Sequence, residues 1–219
     1  MNSTLRILPI LFDKVAEVAL PRLHEFNSQD ITNTVWAYAV LNYPSNFKFG
    51  THPDLVKLIV SSVDTFNDKT LCQLHQWNLW GKERTDKNML PLDLSQHCLK
   101  VFNSTKVFQS RFQNDVARVL HSMGISFEEE VLLNSGYSID LLVSIDQRKI
   151  AVEVDGPSHF IGRSKNQNGR TRLKHRQIRA LDNLEVVSVP YWEWNEIKDH
   201  SRYLKMLMKL EGKSYNDRI

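Results

Sequence analysis

The sequence predicts an α+β protein in two parts, a set of helical-hairpin repeats over residues 1–108 and a small α/β domain over residues 109–219 that closes on a helix. Two observations carry the first part: an internal repeat of 40 residues, and apolar spacing of the helical period within each copy. A change to strand alternation after about Arg111 carries the second. Length and composition agree. The 219 residues suffice for one or two domains, and 42% apolar residues with only 8 Gly and 7 Pro exclude a low-complexity or disordered chain. The net charge of +3 is too small to identify a polyanion binder by itself, so any basic surface must be local. Two cysteines, Cys72 and Cys98, make neither a disulfide framework nor a zinc cluster and read as reduced core residues.

Sliding the chain by 40 residues aligns Phe26-Asn27 with Phe66-Asn67, Val15 with Leu55, Ala19 with Ile59, Ile31 with Leu71 and Ala39 with Leu79. Each copy reads as an apolar helix, a short turn, an Asn N-cap and a second helix. Gly81 to Asn88 reads as a polar break, and Leu94, Cys98 and Leu99 open a third, degenerate copy. Trp36, Trp77 and Trp80 belong to the core of these repeats. No stretch reaches the length of a membrane span. The early run Ile7 to Phe12 is too broken and too soon acidic for a targeting segment, so the chain either carries none or begins downstream of one.

From Arg111 the expected order is α-β-β-α-β-α: a helix ending at Gly124, a strand Tyr137 to Ile145, a strand Lys149 to Asp155, a helix from about Thr171 to Asn183, a strand Val186 to Val189, and a helix around Tyr203 to Leu210. Asp140 lies on the first strand of this hairpin. Glu153 and Asp155, two apart on the next strand, share a face. Three carboxylates gathered this way are candidate Mg²⁺ ligands for phosphodiester hydrolysis, with His159 as a general acid or base. The alternative is that the acids face solvent or pair with nearby arginines. A bound ion in this pocket would support chemistry; a lysine or arginine inserted among the acids would argue against it.

Between Asp155 and Asp182 there is no acid, while Arg163, Lys165, Arg170, Arg172, Lys174, Arg176 and Arg179 are all basic. Arg172, Arg176 and Arg179 fall in one helical stripe, with Leu173, Leu181 and Leu184 opposite, which predicts an arginine ridge able to bind phosphates and stack on bases. Trp192 and Trp194, two apart after a strand, either share a face as a stacking platform or divide into one buried ring and one covering the sheet edge.

The runs Ala151-Val152-Glu153-Val154-Asp155-Gly156-Pro157-Ser158-His159-Phe160 and Val186-Val187-Ser188-Val189-Pro190-Tyr191-Trp192-Glu193-Trp194 resemble a RAP domain, over roughly Arg111 to Leu210. Phe26-Asn27-Ser28-Gln29-Asp30-Ile31-Thr32-Asn33-Thr34-Val35-Trp36-Ala37-Tyr38-Ala39 is similar to the octotricopeptide-like repeats that precede such domains. The resemblance implies a restriction-endonuclease-like fold, related to very-short-patch-repair and PD-(D/E)xK endonucleases, in an organellar RNA-binding protein. Asp140 and Glu153 match the two acids of that nuclease motif, but Asp155 stands where its lysine belongs. A carboxylate there supplies neither positive charge nor an N–H donor. The first expectation is therefore a non-catalytic protein of a mitochondrion, or alternatively a plastid, that holds an organellar transcript or ribosomal RNA, needs no cofactor and involves no membrane. The second is a structural subunit of a large ribonucleoprotein such as a mitoribosome, contacting protein as well as RNA. The third is an Mg²⁺-dependent endoribonuclease built on Asp140, Glu153 and Asp155.

Overall fold

The computed structural model describes residues 3–42, 50–104, 109–162 and 164–209. The chain divides into two compact units, Met1–Thr105 and Lys106–Ile219. Arg163 and the expected end of the last helix at Leu210 lie outside the described residues. The fold is of the α+β class, N-terminal helices followed by a mixed four-stranded sheet.

In the first unit, α1 (Ser3–Ala19) runs into a 3-10 turn (Leu20–Glu25) and then α2 (Ser28–Leu41). The second copy repeats that path: α3 (Pro53–Ser61), a 3-10 turn (Val63–Thr65) and α4 (Asp68–Thr85). The turns are built alike. Phe26 N–H donates to Leu23 C=O and Phe66 N–H to Val63 C=O. Asn27 then caps α2 by accepting from the Gln29 and Asp30 amides, and Asn67 caps α4 by accepting from the Thr70 amide. Side chains 40 positions apart bond across the two copies: Trp36 Nε1 donates to Gln76 Oε1 at 2.7 Å and Gln73 Nε2 to Asn33 Oδ1 at 3.1 Å. Ile31 and Leu71, and Ala39 and Leu79, are buried at equivalent places. Val15 and Leu55 differ. Leu55 is fully buried, whereas Val15 shares an exposed face of α1 with Ile10, Leu11 and Val18, which no element covers among the described residues.

The expected break at Gly81 is not one. Helix α4 continues to Thr85 and ends on Asp86 in the left-handed region at φ 60°. Gly81 is instead a contact point, because a Cβ there would lie 2.4 Å from the Met89 side chain. Buried Asn78 fixes the following loop: its Oδ1 accepts from the Met89 and Leu90 amides, and its Nδ2 donates to Asn88 and to Ser95. The latter lies on α5 (Leu92–Asn103), which buries Leu94 and Cys98. Trp77 and Trp80 are core residues and Trp36 is half-buried.

The second unit opens with α6 (Arg111–Ser122), closed by Gly124 at φ 68°. Strands β1 (Ser126–Leu132), β2 (Ser138–Ile145) and β3 (Arg148–Asp155) form an antiparallel meander. Helix α7 (Gly169–Leu181) then crosses over, and β4 (Glu185–Pro190) pairs parallel to β3. Short helix α8 (Tyr191–Glu196) and α9 (His200–Leu207) complete the unit. Neither β1 nor α8 is among the elements that the sequence pattern predicts. In β1 three consecutive glutamates hide the alternation of an edge strand. In α8 two tryptophans mask a single helical turn.

Strand alternation sorts β3 cleanly. Ile150, Val152 and Val154 join Val116 and Leu120 of α6 and Tyr203, Leu204 and Met208 of the C-terminal segment in one apolar core. Ala151, Glu153 and Asp155 take the opposite face, where Lys174 and His175 of α7 meet the two acids.

Candidate nucleic-acid interface

Helix α7 is capped by Asn168, whose side chain accepts from the Thr171 amide. Its seat on the sheet is partly polar. Besides Leu173 and Ile178, the buried positions are Thr171, His175 and Gln177, and Gln177 accepts from the Tyr137 hydroxyl at 2.8 Å. That polarity answers what lies beneath it, since Glu153 and Asp155 are at most 1% exposed. Buried carboxylates demand paired charge and donors. Lys174 supplies the charge, its Nζ donating to Glu153 Oε2 at 2.7 Å. Burial pushes the Glu153 carboxyl up to about 8; Lys174 pulls against that, and the charges of Asp140 and Asp155 reinforce it.

For Asp155, burial pushes the carboxyl up, but contacts from His159 and Ser188 outweigh it and hold the group below its ordinary value. Ser188 Oγ and Gln167 Nε2 both donate to Oδ2. His159 Nδ1 stands 2.9 Å from Oδ1. That partner raises His159 above its ordinary value. His175 goes the other way: burial, with the charges of Lys174 and Arg179, lowers it to about 4 although Asp155 opposes the shift.

Asp140 does not complete a three-carboxylate pocket. Its Oδ2 accepts from the Val154 amide at 2.7 Å and its Oδ1 from Gln113 Nε2 at 2.6 Å, so both oxygens tie β2 to its neighbours. The fold thus brings Glu153, Asp155 and His159 together and commits Asp140 to the framework. A lysine stands among the acids. As an Mg²⁺ cage the set fits poorly, because that ion takes six hard oxygens and keeps several waters, while these carboxylates lie buried beneath α7 with Lys174 on Glu153 Oε2 and Gln167 and Ser188 on Asp155 Oδ2.

The basic stretch divides. Arg170 and Arg172 are exposed on α7, and Lys165 is exposed in the preceding loop. Lys174 points inward. Arg176 is half-buried, and Arg179, though exposed overall, donates from Nη2 to the Val186 carbonyl at 3.0 Å. The expected ridge of Arg172, Arg176 and Arg179 is therefore centred one turn nearer the helix start. Leu173 is the buried member of the opposite seam, and Leu181 and Leu184 are half-buried.

Trp192 and Trp194 do not share a face. They lie on α8 rather than on a strand extension, and on a helix two positions turn through about 200°. Trp194 is buried and stacks on His200 at 3.9 Å between ring centroids. Trp192 is half-buried, packs edge-on against Phe160 at 4.2 Å, and has Lys165 Nζ 5.8 Å from its ring centre. Tyr191 joins it at 5.4 Å. The sequence reading missed His175, Gln167, Ser188 and Tyr191 as members of this region. The available signal was the spacing of Thr171, Lys174 and His175, a polar stripe at i, i+3 and i+4 following a strand with two inward acids.

Residues 152–210 match the RAP domain family, a span that begins on β3 and takes in α7, β4, α8 and α9. A chloroplastic RAP domain-containing protein of rice (Oryza sativa subsp. japonica) is 32% identical over 123 residues, 55% of this chain and 19% of the rice protein. The mitochondrial FAST kinase domain-containing protein 3 of mouse is 25% identical over 209 residues, 84% of this chain and 32% of the mouse protein. Its human counterpart is 27% identical over 97 residues, 38% of this chain and 14% of that protein. The chain thus spans a third or less of the length of these relatives. The second compact unit carries a RAP domain over residues 152–210.

Proposed function

We propose that this protein binds RNA inside an organelle, with the N-terminal part of α7 and the loop before it as the principal contact surface. One observation carries the reading: Arg170, Arg172 and Lys165 stand exposed in a stretch with no acid between Asp155 and Asp182. Two exposed guanidiniums can bind phosphate oxygens bidentately, and no neighbouring carboxylate in that stretch competes for them. The Phe160–Tyr191–Trp192 cluster offers an aromatic surface beside Lys165 on which an unpaired base can stack. The compartment we propose is the mitochondrion, with a plastid as the alternative; relatives named mitochondrial and chloroplastic support an organelle. The RNA is an organellar transcript or ribosomal RNA, and the repeats are a separate helical surface for RNA or for protein subunits of a ribonucleoprotein. Binding of this kind needs no cofactor. The endonuclease reading stands behind it, because the acids it requires are engaged by Lys174, Gln113 and the Val154 amide.

The test is a salt titration of affinity for labelled single-stranded RNA. Changing Lys165, Arg170 and Arg172 together to Gln should weaken binding and lower the log–log salt slope by roughly 0.7 for each phosphate that is no longer neutralised. Folding should persist, because these side chains lie outside the buried seat of α7. An unchanged affinity and slope in the folded triple variant would place any RNA site elsewhere.

A further inference from the structure

The inner side of α7 leaves two buried polar atoms unanswered. Glu153 Oε1 and His175 Nε2 have no hydrogen-bond partner among the described residues, although Glu153 is 1% and His175 4% exposed. An orphaned polar atom at such depth loses its hydration with nothing in exchange, so a native arrangement ordinarily gives it a partner. The two are not scattered. One ligand atom each from Glu153, Asp155 and His175 lie within 4.8 Å of one another, and His175 Nε2 is 4.0 Å from Asp155 Oδ2. Glu153 keeps Oε1 available because Lys174 occupies only Oε2.

We propose that Glu153, Asp155 and His175 form a binding site for one divalent ion of the Zn²⁺ class, which pins α7 to β3. The donors decide the class. Imidazole with two carboxylates suits a borderline ion that accepts four ligands and sheds its water, whereas Mg²⁺ does neither readily. The geometry is open by a small margin: a tetrahedral ion with bonds of about 2.0–2.1 Å sets its ligands roughly 3.4 Å apart. Terminal carboxylate and imidazole torsions are broad enough to close that gap without moving the backbone. This set differs from Asp140, Glu153 and Asp155, because Asp140 is committed to Val154 and Gln113 and His175 takes its place.

The experiment uses the full chain, stripped with chelator and dialysed, then titrated with Zn²⁺ and separately with Mg²⁺ by calorimetry. One equivalent of Zn²⁺ should bind and raise the melting midpoint, with no comparable response to Mg²⁺. His175→Gln should weaken Zn²⁺ at least about tenfold, while Asp140→Asn should leave it within a few-fold of the original. Absence of a Zn²⁺ equivalent overturns the proposal. So does a His175→Gln chain that binds as tightly as the original, which would mark adventitious surface histidines or cysteines. Should His175→Gln fail to fold, the imidazole nitrogen spectrum of the original chain decides: a Zn²⁺-dependent shift of one buried Nε2 supports the site, and unchanged resonances overturn it.

Discussion

His159 and His175 stand on either side of the Asp155 carboxylate and are driven in opposite directions. His159 is half-exposed and close to Oδ1, so the carboxylate favours its charged form. His175 is buried, and desolvation with two neighbouring cations outweighs the same carboxylate, lowering it from 6.5 to about 4. Between those two values the unfolded chain carries a proton on His175 that the folded chain does not. Stability from this residue is therefore present above pH 6.5 and is lost as pH falls toward 4. The full loss is roughly 3 kcal/mol at about 1.4 kcal/mol per unit. Urea unfolding in chelator across that range should show it in the original chain, and His175→Gln should flatten the decline. Equal acid-side slopes for the two chains would contradict a neutral buried His175. At this scale the shared face of Glu153 and Asp155 is legible from the sequence because strand alternation fixes it, and His159 is legible only from its place four residues beyond Asp155. Lys174 is not, because a lysine in a run of arginines reads as solvated until the acids beneath the helix are known to be buried.

Among the elements, the repeat shows how a weak sequence signal becomes a structural contact. Equivalent positions of α2 and α4 meet, so Trp36 can donate to Gln76 and Gln73 to Asn33 across a 40-residue interval. A double-mutant cycle on Trp36→Phe and Gln76→Leu should return a coupling of about 1 kcal/mol. Each single change should cost more than its share of the double, because it leaves one polar group of a part-buried pair unsatisfied. Additive costs would mean that the bond adds nothing to the stacking of the copies. The two N-caps and the helix boundaries near them followed from Phe26-Asn27 and Phe66-Asn67, since a capping residue acts within one turn of its own position. Strand β1 and helix α8 did not follow. Their identity depends on partners across the sheet and on aromatic packing, which local periodicity does not record. The inner face of α7 is only partly legible for the same reason, since Leu173 seats it as expected while the acids of β3 and Tyr137 set the rest.

At the level of the whole chain, each unit has its own means of folding. The large apolar cluster of the second unit runs from Val116 to Met208 and includes residues of α6, β2, β3, β4, α8 and α9, with no member from the repeats among the described residues. The exposed cations Lys165, Arg170 and Arg172 belong to this same unit. A fragment of residues 106–219 should therefore unfold in one cooperative transition, as single domains of this size usually do. If the proposed RNA contact lies on α7, that fragment should also keep the salt slope of the full chain, because the slope counts neutralised phosphates and not total affinity. Residues 1–105 can still add affinity through their helical surface, and that addition would appear as a parallel displacement of the log–log line. Measuring the slope for the full chain and for each fragment separates these contributions. A fragment of residues 106–219 that folds but has a much shallower slope would move the main electrostatic contact to the repeats, and the arginines of α7 would then be an ordinary solvated face.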